Sequence, residues 1–589
     1  MTASAGWDAG SAIACLSGVN PYPLRNVITA RMLVGSHLVA LFVLLALPAP
    51  LQAAAQPCAA FCAADCDGNG AVTVDDLVAA VGIALGTASL DTCAAGDRDG
   101  DGRITVDELL QAVAIVLRGC AAASGGATPA DLAERPLPGW YADAKLGIMI
   151  HWGPFAVPAW AERTLDPEVI FTDPTDPNYF LSAQGVPAFL NHNPYSEWYW
   201  NSLAIEGSGT WQHHRDIWGS EFPYEGFAPL FAAQLDNWQP TDWARIFAQA
   251  GARYVVLVSK HHDGYTLWPS EVANPQRGND WQAPRDVVGE LAAAVRARCL
   301  RMGLYYSGGI DWTWNPPPFA SLLDALRLAP PQEEYARYAD AHWRELIRRY
   351  RPAVLWNDIG NPAGLDAEQL FRDYYAAVPD GVVNDRWISA LARPHADFRT
   401  SEFAVEADIS PDKWEAVRGM SRGFGYNANE ELADYGPPEK FVHLLIDVVS
   451  KNGNLLLNVG PRADGSIPAP QLRILAGLGT WLAANGEAIY GTRPWTRFGA
   501  STDQGVEVRF TATPARDVVY ALLLGTPPAG GLTIEGFDAI PARVRLVATG
   551  APLDWSSSAA GLRLTLPELP ADGLAHAIAI ELVAPGSRR

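Results

Sequence analysis

The chain has 589 residues, which is too many for one hydrophobic core, and about 150 residues per domain predicts three or four units. Hydrophobic residues make up 49% of the chain and charged residues 18%, which excludes a largely disordered protein. The formal net charge of -22 argues against a nucleic-acid partner, because little on such a chain would neutralise phosphates.

The N-terminal segment has the pattern of a secretory signal. Arg25 and Arg31 precede an apolar run over 32–47, and three alanines at 53–55 supply small residues for cleavage. A membrane anchor is the alternative, but the run is shorter than the roughly 20 apolar residues that a span requires. We therefore predict a signal peptide region over 1–55, a secreted protein (extracellular or periplasmic) and no stable membrane span.

Residues 56–122 contain an internal repeat with the spacing of a calcium-binding loop. Each copy has oxygen-bearing side chains where such loops place ligands, and a glycine at the sharp turn between them. Turns rich in aspartate without a metal are the alternative, but two full matches in tandem favour structural Ca²⁺. The predicted metal ligands are Asp65, Asp67, Asn69, Thr73, Asp76, Asp97, Asp99, Asp101, Thr105 and Glu108.

The repeated loops are followed by apolar helical stretches, and the module resembles dockerin-type or EF-hand repeats. Dockerins attach enzymes to scaffolds, so the resemblance implies a scaffold protein as a partner. The module also holds five of the seven cysteines, which in an exported chain predict disulfides. Residues 123–134 are mostly small and predict a flexible linker.

From 135 to 494, short apolar runs alternate with amphipathic helical patterns. This alternation predicts parallel βα units and an α/β fold, a (β/α)8 TIM-like barrel. Residues 161–193 predict an enlarged loop near the pocket mouth. Short strands separated by glycine and proline turns over 495–589 predict an antiparallel β-sandwich. The predicted barrel strands are 146–150, 254–258, 303–306, 354–356, 382–383, 398–403, 419–426 and 455–459.

Ionisable and aromatic side chains concentrate at the predicted strand ends. His151 follows the first strand, His261 and His262 follow the second, Asp358 follows the fourth, and Glu402 lies on the sixth. The active site of such a barrel lies at the carboxyl ends of its strands. Buried charges are costly unless they are paired or used, so this concentration predicts a functional site.

The residue types at these ends favour glycoside hydrolysis. A zinc site of His151, His261, His262 and Asp358 is an alternative, but adjacent histidines on a strand point to opposite faces. A serine hydrolase lacks the Gly-x-Ser-x-Gly elbow in the right context. Two carboxylates on different strands, among aromatic rings and neutral hydrogen-bonding groups, are typical of glycosidases.

Several motifs resemble those of glycoside hydrolase family 29, the α-L-fucosidases. The segment LGIMIHWGPFAVPAW at 146–160 resembles the opening barrel strand of that family. The resemblance extends over about residues 135–585 and does not include the calcium module. Other resembling motifs are PYSEWY at 194–199, KHHDG at 260–264, LWND at 355–358, NDRW at 384–387, DFRTSEF at 397–403, FGYN at 424–427 and NLLLNVGP at 454–461.

The resemblance implies a retaining enzyme acting on a fucosylated oligosaccharide or glycoconjugate, with no cofactor for catalysis. Asp358 would be the nucleophile and Glu402 the acid/base, with their carboxyl groups about 5–5.5 Å apart. A barrel glycosidase for a related sugar such as an α-L-galactoside, and a catalytically inactive carbohydrate-binding protein, remain alternatives. The implied fucose-binding residues are His151, Glu197, Trp198, His261, His262, Tyr305, Trp356 and Arg386.

Overall fold

The structure is a computed structural model. It describes residues 131–583 except 183, 322–323, 325–332, 389–393 and 571–573, and before them residues 66, 74–89, 92–93, 104 and 109. In these ranges the helices are α1 Val74–Ala84, α2 Gly139–Ala144, α3 Pro167–Thr172, α4 Gly185–Asn191, α5 Tyr199–Leu203, α6 Gly209–Ile217, α7 Phe227–Ala232, α8 Pro240–Gln249, α9 Val287–Arg296, α10 Glu333–Tyr350, α11 Ala367–Ala377, α12 Pro438–Ser450 and α13 Ala469–Asn485.

Eight parallel strands form one sheet in the order β5-β4-β3-β2-β1-β8-β7-β6. A parallel bridge between Asn384 and Phe398 links the ends of β5 and β6. Helices lie between most successive strands, as parallel connections require. The strands are β1 Leu146–Ile150, β2 Tyr254–Lys260, β3 Arg301–Ser307, β4 Val354–Asp358, β5 Val382–Val383, β6 Arg399–Glu402, β7 Trp414–Arg418 and β8 Gly453–Val459.

Alternate residues of these strands pack into two different apolar clusters. Ile148 and Val255 belong to a large cluster shared with the helices, whereas Met149 and Val256 belong to a cluster on the inner face. Successive strand side chains point to opposite faces, and both faces of a parallel sheet are covered. The strands therefore appear in the sequence as continuous apolar runs, which is why most were predicted near their observed positions.

The seventh strand was predicted in the wrong place. The sequence indicated 419–426, but β7 is Trp414–Arg418, and the residues after it form bends. Glu415 and Arg418 interrupt the apolar run that is typical of a buried strand, although both side chains are buried. The predicted loop over 161–193 likewise contains two short helices, α3 and α4.

The C-terminal region consists of two antiparallel sheets, five-stranded β13-β16-β11-β10-β9 and three-stranded β12-β15-β14. Both sheets contribute to one apolar cluster that includes Phe510 and Leu564. The sequence predicts strands at 506–511, 518–524, 543–548, 562–566 and 577–583, which correspond to β10, β11, β13, β15 and β16. It does not predict β9, β12 and β14, because β14 is fully exposed and the other two are partly polar or begin with glycine. The strands are β9 Arg493–Ser501, β10 Glu507–Ala512, β11 Val518–Leu523, β12 Gly530–Glu535, β13 Pro541–Leu546, β14 Asp554–Ser558, β15 Gly561–Leu566 and β16 His576–Leu582.

Most of the predicted calcium module lies outside the described residues. Of its ten predicted ligands only Asp76 is described, on α1, where its Oδ1 accepts a hydrogen bond from the backbone N–H of Cys66. Cys66 forms a disulfide with Cys93. The predicted signal region and linker also lie outside the described residues, except for 131–134. None of the described helices is long and apolar enough to cross a membrane.

Candidate active site

A cavity of about 320 Å³ lies at the carboxyl ends of the parallel strands. Parallel strands end at the same edge of their sheet, so residues far apart in the chain meet there. All ten residues that the sequence predicted for catalysis and sugar binding line this cavity. They are Asp358, Glu402, His151, Glu197, Trp198, His261, His262, Tyr305, Trp356 and Arg386.

Asp358 is the last residue of β4 and is buried. Its Oδ2 accepts a hydrogen bond from the Tyr305 hydroxyl at 2.7 Å, and its Oδ1 accepts from the backbone N–H of Ile359 at 2.9 Å. Burial raises the pKa of Asp358, but the charge of Arg386, the neighbouring His262 and the hydrogen bonds from Tyr305 and Arg386 bring it below its ordinary value. Asp358 is therefore an anion at neutral pH.

Arg386 connects Asp358 to Glu402, the last residue of β6. Its Nη1 donates to Asp358 Oδ1 at 2.9 Å, and its Nη2 donates to Glu402 Oε2 at 3.1 Å. The guanidinium carbon lies 4.8 Å from the centroid of the Trp356 ring, at cation–π distance. Burial lowers the pKa of Arg386, but the two carboxylates raise it above its ordinary value, so the group stays a cation. One cation thus forms hydrogen bonds with two carboxyl groups at the same cavity.

The three histidines of the cavity are neutral hydrogen-bonding groups. Burial lowers the pKa of His151 to about 4 and that of His262 to about 3, and it also lowers the pKa of His261. His151 Nδ1 lies 2.7 Å from Asn458 Oδ1. An amide oxygen can only accept, so Nδ1 carries the proton and Nε2 remains an acceptor for a ligand hydroxyl.

His261 and His262 both line the cavity, with ring centroids 4.0 Å apart. The sequence argument that placed them on opposite faces was wrong, because β2 ends at Lys260 and strand alternation does not continue beyond it. His262 Nδ1 lies 2.7 Å from the Ser307 hydroxyl. Among the described residues, no group of three or more His, Cys, Asp or Glu side chains is placed to hold a metal ion.

Glu197 is a third carboxyl group in the cavity, and it is only 1% exposed. Its Oε2 accepts a hydrogen bond from the backbone N–H of Gly425 at 2.7 Å. Burial raises the pKa of Glu197 to about 8, and the charge of Glu402 acts in the same direction. Glu197 is therefore mostly protonated at neutral pH and can donate a hydrogen bond to a ligand.

Trp356 is fixed on the inner face of the sheet by a buried carboxylate. Its Nε1 donates to Glu415 Oε2 at 3.0 Å, and the hydroxyls of Tyr141 and Tyr254 donate to Oε1 of the same residue. The Trp356 ring stacks on Tyr305, with centroids 5.3 Å apart and planes 21° apart. The two rings give the cavity a flat aromatic side beside the carboxylates.

One side of the cavity is apolar and comes from a single segment of the chain around α3 and α4. We call these side chains the apolar wall, and they were not predicted from the sequence. They are Phe171, Phe180, Val186, Phe189 and Leu190.

Comparison with known proteins identifies the family. A family model described as "Alpha-L-fucosidase" matches residues 118–487, and one described as "Alpha-L-fucosidase C-terminal domain" matches residues 502–582. The chain belongs to the α-L-fucosidase family. It is a glycoside hydrolase, which agrees with the paired carboxyl groups of the cavity.

Individual fucosidases are similar over most of this chain. Human tissue α-L-fucosidase is 33% identical over 455 residues, which are 74% of this chain and 87% of the relative. The α-L-fucosidase of Branchiostoma floridae is 33% identical, over 74% of this chain and 90% of the relative. The crystal structure of Thermotoga maritima α-fucosidase with a mechanism-based inhibitor shares 40% identity, has a TM-score of 0.68, and covers 76% of this chain and 98% of that one.

Within this fucosidase-family site, Tyr195 and Phe424 were missed as cavity residues although both lie in family-like motifs. The Tyr195 hydroxyl donates to Glu402 Oε1 at 3.0 Å, and its position two residues before Glu197 was the available signal. Glu415 had no such signal, and for the apolar wall the sequence indicated only an enlarged loop near the pocket mouth, not which side chains line the cavity. Glu415 lies in the strand that was predicted elsewhere, and the wall lies in a segment whose proline and aspartate content indicates a loop.

Proposed function

We propose that this protein is a retaining α-L-fucosidase that removes terminal α-L-fucosyl residues from glycans through a covalent fucosyl-enzyme intermediate. The observation that carries the proposal is the single guanidinium of Arg386, which hydrogen-bonds to Asp358 and Glu402 at once. A retaining glycosidase requires two neighbouring carboxyl groups, one as nucleophile and one as proton donor. Membership of the fucosidase family supports the choice of sugar.

Asp358 is the nucleophile in this proposal, and Glu402 is the acid/base. In the first step a carboxylate oxygen of Asp358 bonds to C1 of fucose, the bond from C1 to the leaving oxygen breaks, and Glu402 gives its proton to that oxygen. In the second step Glu402 takes a proton from water, the water oxygen bonds to C1, and the ester bond breaks. Fucose leaves, and both carboxyl groups regain their starting protonation states.

The remaining polar residues of the cavity bind the sugar hydroxyls. His151 offers an acceptor nitrogen, and protonated Glu197 offers a donor, so the site presents both kinds of partner to a neutral ligand. His261, His262, Tyr305 and Arg386 complete the polar set. The rings of Trp198 and Trp356 suit the C5 methyl group of fucose, because contact with an apolar ring removes the methyl group from water and so favours binding.

Hydrolysis of nitrophenyl α-L-fucoside tests the proposal. We expect Asp358→Ala to lower kcat at least about 1,000-fold, and azide to restore turnover by attacking C1 in place of the missing carboxylate. Asp373→Ala, on the exposed face of α11, is the matched control and is expected to keep wild-type activity. A folded wild-type protein that cleaves no α-L-fucoside, or an Asp358→Ala variant with undiminished kcat, would refute the assignment.

We infer that the eight-stranded sheet is a closed (β/α)8 barrel and that the two C-terminal sheets are a β-sandwich. The bridge between Asn384 and Phe398, which joins the two end strands, supports closure. The apolar cluster shared by the two C-terminal sheets supports the sandwich. The domain boundaries stay predictions.

We further propose that residues 56–122 bind two Ca²⁺ ions, on the strength of the repeated ligand spacing. Calorimetric titration of the full chain with Ca²⁺ is expected to show two sites. The double variant Asp65→Ala with Asp97→Ala is expected to lose both and keep fucosidase activity, because the cavity needs no metal in this mechanism. Absence of Ca²⁺ binding by the wild-type chain would contradict the proposal.

Export and scaffold attachment are proposals of the same kind. The apolar run at 32–47 and the alanines at 53–55 support a cleaved signal peptide and a secreted enzyme. The resemblance to dockerin repeats supports Ca²⁺-dependent attachment to a scaffold protein. N-terminal sequencing of the exported chain tests the first proposal, and capture by a dockerin-binding scaffold domain, with and without a chelator, tests the second.

A further inference from the structure

We propose that the apolar wall is a subsite for the leaving group, so that this enzyme takes fucosides whose leaving group carries an uncharged alkyl or aryl surface. The inference rests on the proposed function, because it takes Glu402 as the proton donor. It concerns the group on the far side of the bond that is cut, which the fucose-binding residues do not define.

The wall and the two carboxylates line one continuous cavity. Phe171, Phe180 and Val186 are half-buried, and Phe189 and Leu190 are nearly fully buried. The same segment carries several acidic residues, but none of those described lines the cavity. A ligand against this wall therefore meets apolar surface and no charge, which favours a neutral apolar group.

The wall lies on the Glu402 side of the cavity. Phe403 directly follows Glu402, and its ring stacks on Phe171 with centroids 6.0 Å apart and planes 11° apart. Tyr195, whose hydroxyl donates to Glu402, packs its ring edge-to-face on Phe189 at 5.2 Å. The proton donor must reach the leaving oxygen, so the leaving group extends along this side.

The C5 methyl group of fucose does not account for the wall. Trp198 and Trp356 already provide apolar rings among the polar sugar-binding groups, and a methyl group covers little surface. The five side chains of the apolar wall present enough apolar surface to contact a larger apolar group. Apolar surface of this kind in a cavity is typical of a ligand-binding site.

The wall is held in place before a ligand arrives. The Asp166 side chain caps the N-terminus of α3, and Glu168 in its first turn forms ion pairs with Arg418, at 2.7 Å, and with Lys440. Arg422 also donates to the backbone oxygen of Leu165 at 3.0 Å. A wall fixed to β7 and α12 loses little conformational entropy on binding, so its apolar surface can contribute fully to affinity.

Kinetics with methyl, butyl and octyl α-L-fucosides test the inference. The alcohols released from these three substrates differ little in acidity, so the chemical step is similar. Differences in kcat/KM therefore report the contacts that the alkyl group makes with the protein. Each fully buried methylene group strengthens binding about fourfold. We therefore expect kcat/KM to rise at least about tenfold from the methyl to the octyl fucoside. Phe171→Ser and Phe180→Ser are expected to reduce this rise. Leu181→Ser, in the same segment but 78% exposed and not lining the cavity, is expected to keep it.

The outcomes separate this inference from the proposed function. Equal kcat/KM for the three alkyl fucosides, with normal cleavage of nitrophenyl α-L-fucoside, would overturn the apolar subsite and leave the fucosidase assignment intact. Failure to cleave any α-L-fucoside would overturn the proposed function itself. If a phenylalanine variant does not fold, Val186→Thr keeps the side-chain shape and is expected to weaken octyl fucoside selectively; an unchanged preference would contradict the inference.

Discussion

At the scale of single residues, the ionisation of Asp358 depends on its contact with Arg386. The guanidinium offsets the effect of burial on the pKa of Asp358, which therefore lies below its ordinary value. Without this cation, burial would favour the protonated carboxyl group, which cannot attack C1. The acid side of the activity profile therefore depends on this ion pair, the largest of the effects that lower the pKa of Asp358.

We expect Arg386→Gln to move the acid limb of the kcat/KM profile to higher pH, because the pKa of Asp358 in the free enzyme rises when the cation is removed. The measurement is kcat/KM for nitrophenyl α-L-fucoside across the acid range. Arg337→Gln, an exposed position on α10, is the control and is expected to leave the profile unchanged. An acid limb at the wild-type position in Arg386→Gln would show that the pair does not set the ionisation.

Glu197 is a second residue whose charge depends on burial, and its pKa is raised from 4.5 to about 8. Between these values the folded chain holds a proton that the unfolded chain has released. The contribution of Glu197 to stability is therefore fully present below pH 4.5 and is lost as the pH rises towards about 8. The site thus retains a carboxylic acid at some cost in stability at neutral and higher pH.

Glu197→Gln removes this titration and keeps the shape of the side chain. We expect the free energy of unfolding of the wild-type chain to fall relative to that of Glu197→Gln as the pH rises through this window. Urea unfolding at a series of pH values measures the difference. Parallel curves for the two proteins would contradict the raised pKa.

At the scale of elements, close contact between β1 and β2 depends on a glycine. Gly147 pairs with Tyr254 in register, and a Cβ on Gly147 would lie 2.3 Å from Cζ of that buried ring. Moving the ring away would break the hydrogen bond that its hydroxyl donates to Glu415. The small residue at this position is thus required by the approach of the next strand.

Gly147→Ala is expected to lower the free energy of unfolding by about 1–3 kcal/mol, the usual effect of overpacking a core. Gly139→Ala at the start of α2 is the matched control, since a Cβ there meets no atom within 4 Å. Denaturant unfolding of both variants measures the difference. Equal stability of the two variants would show that the strands can separate enough to admit a methyl group.

At the scale of the whole molecule, the C-terminal sheets share a core with the catalytic region. Leu522 of β11 belongs to the same apolar cluster as the helices around the parallel sheet. Trp481 of α13 donates to the backbone oxygen of Ala575 at 2.8 Å, and Arg509 of β10 pairs with Asp447 of α12 at 2.6 Å. Loss of the sheets would therefore expose apolar surface of the catalytic region.

Leu522→Ala is expected to lower stability by about 2–5 kcal/mol, the range for truncating a buried leucine. Fucosidase activity is expected to be lost at a correspondingly lower temperature, although Leu522 is not a cavity residue. Ile540→Ala, at a position 55% exposed, is expected to change neither. Activity that survives to the wild-type temperature in Leu522→Ala would show that the two regions unfold independently.

The sequence by itself determined the alternation of strands and helices and the residues at most strand ends. These features are local: a strand buried on both faces is an apolar run, and the residue after it lies at the active edge of any parallel sheet. That is why Asp358, Glu402 and the histidines could be named in advance. The calcium loops are a local pattern too, and they stay a prediction.

Only the tertiary structure decided the position of β7, the contact of Arg386 with both Asp358 and Glu402, and which side chains form the apolar wall. Glu415 is acceptable in a buried strand because hydroxyls from Tyr141 and Tyr254, far away in the chain, donate to it. Phe171 lines the cavity because ion pairs of Glu168 hold α3 against β7 and α12. Such contacts join segments that no local pattern relates, since burial and charge pairing depend on distances in space and not on spacing along the chain.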